Sequence, residues 1–179
     1  MRLEQYLVEL KKIERTMIGF SVNQSKLSNV YDHIKEIMFN HHIDRYEIID
    51  DPHISIAQIP GKVEKDKLIR AVHSISKNVE FVPKKLKILE GKRVPFDFIT
   101  IEYKKNNKFI NDFNKIAEEF EVIKFPGGNI PHVSLFKLNK GQVSKDFIET
   151  IEELKIKIPY LKPTKVVMYN QRFELEYKK

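Results

Sequence analysis

Two copies of one short pattern, Pro52-His53-Ile54-Ser55-Ile56 and Pro131-His132-Val133-Ser134-Leu135, stand 79 residues apart in a chain of 179. In an extended strand, side chains alternate between faces, so each copy sets an imidazole and a hydroxyl on one face and apolar anchors on the other. With 8 Ser, 6 His and 41% hydrophobic residues, composition alone produces two such copies with a probability on the order of one in a thousand. A single His-x-Ser strand is often a histidine bonded to a nearby carbonyl beside a solvated serine. A matched, proline-led pair reads instead as a two-histidine active site, and a separation of about half the chain fits two related lobes.

The elements around the motifs repeat as well. A polar, helical lead over Arg2–Glu14 precedes a strand at Met17–Val22. Ser25 or Ser28 can cap a helix whose stripe is Val30, Ile34, Ile37 and Met38. A turn leads to the strand His53–Ile59, which Pro60-Gly61 stops. Helical spacing returns at Val63–Ser76, and strands follow at Leu86–Leu89 and Phe96–Tyr103. The second half repeats the theme with a helix at Lys108–Phe120, a Pro126-Gly127-Gly128 loop, the second motif strand and a helix at Ser144–Leu154. Terminal strands are expected at Thr164–Tyr169 and Arg172–Tyr177 around Asn170-Gln171.

Composition narrows the function classes. There is no cysteine, which excludes thiolate chemistry, disulfides and Cys zinc sites and fits an intracellular protein. No apolar run is long enough to span a bilayer, and no signal-type core opens the chain, so a soluble protein with no membrane partner is expected. A net charge of +7 and a pI near 9.3 suit a polyanionic partner, because lysines near phosphates gain affinity from counterion release. His41-His42 diverge on any element and read as surface residues, and His33 and His73 fall in helices. Asp50-Asp51 read as a polar turn before Pro52.

On these residues the chain resembles the 2H phosphoesterase superfamily over about residues 17–177. Within it, the sequence is similar to the U6 snRNA phosphodiesterase family of 3′-end-trimming RNA exonucleases. That likeness lies in serine in both motifs, in Phe96–Tyr103 followed by the Phe109–Phe120 helix, and in the Val166–Phe173 stretch around Asn170. The resemblance implies an α+β fold, a single bilobal domain over 1–179. Its pseudo-symmetric lobes, about 17–95 and 96–179 with strands open to exchange, carry antiparallel sheets that form a central groove flanked by helices.

The implied activity is a phosphodiesterase in which His53 and His132 act as general acid and base, in an order the pseudo-symmetry leaves open, while Ser55 and Ser134 hold phosphate. The expected partner is the 3′ end of a single-stranded RNA or an oligonucleotide, trimmed to a 2′,3′-cyclic phosphate without metal or other cofactor by a monomer. The address would be the nucleus in a eukaryote and the cytoplasm in a microbe or virus. Phe125, the aromatic nearest before the second motif, and Tyr169 are candidates for base stacking. Lys104, Lys137 and Arg172 are candidates for phosphate contacts. Two alternatives remain at this stage: action of the same site on 2′,5′-oligoadenylates, cyclic nucleotides or cyclic phosphates, and a non-catalytic RNA-binding module.

Overall fold

A computed structural model describes residues 15–61, 63–76, 79–91, 94–124, 129–163, 165–169 and 175–178. The expected helical lead, the Asn170-Gln171 turn, Phe125 and Arg172 lie outside them. The described strands are β1 (Arg15–Ser21), β2 (Tyr46–Ile48), β3 (His53–Pro60), β4 (Pro83–Glu90), β5 (Phe96–Tyr103), β6 (His132–Asn139), β7 (Val166–Tyr169) and β8 (Leu175–Lys178). The helices are α1 (Ser28–Asn40), α2 (Lys65–Ser74), α3 (Asn107–Glu119) and α4 (Lys145–Glu152).

The strands form one antiparallel sheet in the order β4-β5-β6-β3-β1-β7-β8, with β2 added to β6. The two motif strands are therefore neighbours at its centre. Each is flanked by an earlier strand of its own half, β1 beside β3 and β5 beside β6. The third strands break the repeat, since β4 joins β5 while β7 returns from late in the chain to pair with β1.

Alternation explains which face is covered. Ile18, Phe20, Ile54, Ile56, Ile99, Ile101, Val133 and Leu135 form one core with the apolar stripes of the helices. Those stripes are Val30, Tyr31, Ile34 and Met38 on α1, Leu68, Ala71 and Val72 on α2, Phe109 and Ile116 on α3, and Phe147 and Ile151 on α4. Asn106 caps α3 through the Phe109 amide at 2.9 Å and Ser144 caps α4 through the Phe147 amide at 3.1 Å. The cap expected at Ser25 or Ser28 is not made. Asn23 instead accepts from the Ser25 amide to open a 3₁₀ turn over Gln24–Leu27, and α1 continues from that turn with no side-chain cap of its own. No helix among the described residues is long and apolar enough to cross a membrane.

Both motif strands carry the same irregularity. Ile18 pairs with Ala57 and Gly19 with Ser55, leaving Ile56 as an extra residue in β3; Ile99 pairs with Phe136 and Thr100 with Ser134, leaving Leu135 extra in β6. A bulge turns two successive side chains to one face, and Ile56-Ala57 and Leu135-Phe136 are both buried pairs. The two bulged residues are again 79 apart. Beyond them the motif strands part. The Leu135 carbonyl accepts from the Ile49 amide at 2.9 Å, and the Ile56 carbonyl accepts from Asn129 Nδ2 at 2.7 Å.

Candidate active site

β3 and β6 meet at Ile54 opposite Val133. Extending that register by one residue each way sets His53 opposite Ser134 and Ser55 opposite His132. Ile54 and Val133 are wholly buried toward the helices, so all four polar side chains rise from the other, open face. Opposed residues have Cβ atoms about 4.5–5.5 Å apart and diagonal ones about 7–8 Å. The two imidazoles thus stand diagonally across the seam with a serine beside each.

Each ring is held the same way. His53 Nδ1 donates to the Asp51 carbonyl at 2.9 Å, and His132 Nδ1 donates to the Ile130 carbonyl at 2.9 Å. A carbonyl only accepts, so the proton of the neutral imidazole sits on Nδ1 and the Nε2 lone pair is left for the open face. The proline at the intervening position has no N–H and a fixed φ, which shapes the turn that brings each carbonyl back under its histidine. Ser55 Oγ points to Met17 Sδ at 2.9 Å, a weak acceptor.

Surroundings distinguish the two rings. The Tyr169 ring lies against His53, with centroids 4.9 Å apart, and its hydroxyl donates to Asp51 Oδ2 at 2.5 Å. Burial, the largest influence, pushes the His53 pKa below the ordinary imidazole value; the nearby Asp51 opposes this, and His132 adds a smaller push downward. Tyr169 is held protonated, its pKa raised by burial and by the adjacent carboxylate. On the other side, Glu102 pairs with His132 across β5 and β6. It is buried, and Lys84 and Lys87 approach it at 3.5 and 3.6 Å.

The lowered pKa of His53 has a stability consequence with a defined sign. Below about pH 6.5 the unfolded chain takes up a proton at this position before the folded chain does. Stability is therefore lost as pH falls from about 6.5 through the lowered folded value. Urea midpoints across that range are expected to decline more for the wild type than for His53→Asn; parallel curves would contradict the assignment.

Gly19 is needed beside the site for a steric reason. A Cβ there would come within 2.7 Å of the Ile54 carbonyl oxygen and 3.4 Å of Ser55 Cα. At the matching position of the other half β5 carries Thr100, whose hydroxyl donates to the Lys87 carbonyl at 3.0 Å. Gly19→Ala should displace the first motif and lower kcat/KM about tenfold to a hundredfold, because ångström shifts in reacting groups carry such costs. Unchanged kinetics in a folded Gly19→Ala protein would contradict the close packing of β1 on β3.

The remaining sequence candidates fall in different places. Tyr169 reaches the site, but its ring is only 2% exposed and faces His53. Lys104 is exposed just after β5, where Tyr103 N–H donates to the Pro131 carbonyl at 2.8 Å. Lys137 lies five residues along β6 from His132, about 16 Å at strand rise. Its ammonium pairs with Glu47 at 2.7 Å and sits 4.2 Å from the Phe96 ring centroid. The sequence marks Asp51 only as a turn residue, whereas its side chain ties Tyr169 to the first motif. Its position two residues before His53, where the second motif has Ile130, was the available signal. No group of three His, Asp or Glu side chains among the described residues is placed to hold a metal ion.

No protein-family model and no curated protein matches the sequence. Solved structures do match the fold. Usb1 of Kluyveromyces marxianus superposes with a TM-score of 0.67 at 12% identity, over 92% of this chain and 96% of that one. The same protein with uridine monophosphate gives 0.64 at 12% identity, over 95% and 98%. The ns2 PDE domain of MHV gives 0.54 at 13% identity, over 88% and 98%. LigT of E. coli, complexed with NADP+, gives 0.52 at 13% identity, over 89% and 88%. Likeness at these identities establishes the architecture, and the chain has the fold of the 2H phosphoesterases that its motifs led one to expect.

Proposed function

We propose that this chain is a phosphodiesterase that shortens RNA from its 3′ end by transesterification. The observation that carries the reading is the seam itself: two imidazoles, each with Nε2 left free by the same backbone hydrogen bond, stand diagonally opposed with a serine hydroxyl beside each. One Nε2 takes the proton of the 2′-hydroxyl next to the scissile phosphate. That oxygen attacks phosphorus, the bond from phosphorus to the 5′-oxygen breaks, and the second imidazole, entering as imidazolium, gives its proton to the departing oxygen. The product ends in a 2′,3′-cyclic phosphate.

Each Nδ1–H keeps its carbonyl partner throughout, so the ring that gains a proton stays oriented and its positive charge faces a carbonyl dipole. Ser55 and Ser134 donate to the non-bridging oxygens, where negative charge grows in the transition state. The likeness to Usb1, which has been solved with uridine monophosphate, supports RNA and its 3′ end as the substrate, and the net charge of +7 suits a polyanion.

The test is a substrate panel in EDTA: RNA ending in uridines, the same strand with 2′-deoxy termini, and 2′,5′-oligoadenylate. Stepwise shortening of the first alone is the expected result. Cleavage confined to the 2′,5′-linked substrate would move the activity to that class, and cleavage of the deoxy strand would overturn attack by the 2′-hydroxyl.

A further inference from the structure

The pseudo-symmetry of the seam fails one strand away from each histidine, where the paired residues differ. Across from His132 the groove meets Glu102, buried and flanked by Lys84 and Lys87. Across from His53 it meets Ser21. There the surface opens into a cleft of about 520 Å³ whose walls include Ser21, Lys26, Asp50, Asp51, Lys162 and Lys165. The cleft is joined to the catalytic seam by backbone contacts: Ser21 N–H donates to the Lys165 carbonyl at 3.0 Å and Val22 N–H to the Pro52 carbonyl at 2.9 Å.

Its charges are not all committed. Lys162 pairs with Glu80 at 3.4 Å, whereas Lys26 and Lys165 have no ion-pair partner among the described residues. Asp50 and Asp51 line the cleft as well, and Asp51 accepts the Tyr169 hydroxyl. Strands are spaced about 4.8 Å apart, so the cleft wall at Lys165, two strands from His53, lies about 10 Å from it. A phosphate one nucleotide from the scissile linkage falls within reach of that wall.

We propose that this cleft is a second phosphodiester subsite, in which Lys26 and Lys165 bind the phosphate adjacent to the one being cleaved. The proposal rests on the phosphodiesterase reading and sharpens it: the substrate is an oligonucleotide with at least two phosphodiester linkages, lying across the seam from the His132 side toward Ser21 in one fixed direction.

The experiment compares a diribonucleotide with two trinucleotides, each carrying one 2′-deoxy residue so that only one linkage can be cleaved and the extra phosphate lies either 5′ or 3′ of it. For the wild type, one trinucleotide is expected to exceed the dinucleotide in kcat/KM by about tenfold, and the other is not. In Lys26→Ala/Lys165→Ala that gain should vanish while the dinucleotide rate stays as it was. A gain that survives in the double variant, a gain for both trinucleotides or neither, or an equal loss on the dinucleotide would overturn the subsite.

Binding of fully 2′-deoxy dinucleotides and trinucleotides, which cannot be cleaved, separates this from the catalytic reading. Tighter trinucleotide binding that depends on the two lysines, in a protein that cleaves no RNA, would keep the subsite and remove the phosphodiesterase. Equal binding of both lengths, or a length preference that outlasts the two lysines, would remove the subsite.

Discussion

His53→Ala and His132→Ala are each expected to lower kcat on a phosphodiester substrate by about 10²–10⁴-fold, the range that a positioned general acid or base contributes. The losses should be similar in size because each imidazole is held by one Nδ1–H bond to a carbonyl and offers one Nε2 to the same opening. They should also be far from multiplicative. Once one proton-transfer partner is missing, the other has little left to act with, so the double variant should lie close to the poorer single one. Folding should survive, since each ring is half-buried and makes one hydrogen bond whose net value is about 0.5–1.5 kcal/mol. Steady-state kinetics with parallel urea unfolding checks this, and full activity in either folded variant would remove that histidine from the mechanism.

The serines carry the second large effect. Ser55→Ala and Ser134→Ala should each reduce kcat by about 10²–10³-fold, as loss of a donor to a developing oxyanion does elsewhere, with a smaller change in KM. The split matters because the hydroxyls are assigned to charge that grows in the transition state rather than to ground-state binding. Ser55 offers the stricter case: its Oγ meets only Met17 Sδ at 2.9 Å among the described residues, so removing it leaves no strong partner unsatisfied. A rise in KM with kcat unchanged would make the serines binding groups only.

The four residues that the fold gathers at the seam were legible in the sequence because their signal is local: a two-residue period with a proline before it, written twice. Helices with long apolar stripes were legible for the same reason, as Phe109 and Ile116 on α3 illustrate. What escaped depends on which strands lie side by side. β2, Tyr46-Glu47-Ile48, is three residues long with no buried side chain, and it is a strand only because the parting of β3 from β6 leaves an edge of β6 to pair. The shared bulges at Ile56 and Leu135 follow from pairing with β1 and β5, which no short window reveals.

Tyr169 shows how long-range register decides what a side chain touches. As a sequence candidate it was an aromatic for stacking on a base. Placed opposite Met17 by the pairing of β7 with β1, its ring is spent on His53 and its hydroxyl on Asp51. The contrast between Ser21 beside one histidine and Glu102 beside the other was equally hidden, although both residues are in plain view in the chain. It is the feature that breaks the symmetry of the groove.

End-group analysis of the cleavage product tests the central claim most directly. Short RNA incubated with the wild-type protein in EDTA, then resolved by mass spectrometry, should yield fragments ending in 2′,3′-cyclic phosphate, and these should be absent with His53→Ala or His132→Ala. Fragments ending in a free 3′-hydroxyl, or cyclic ends that persist in both variants, would contradict a two-histidine transesterification at this seam.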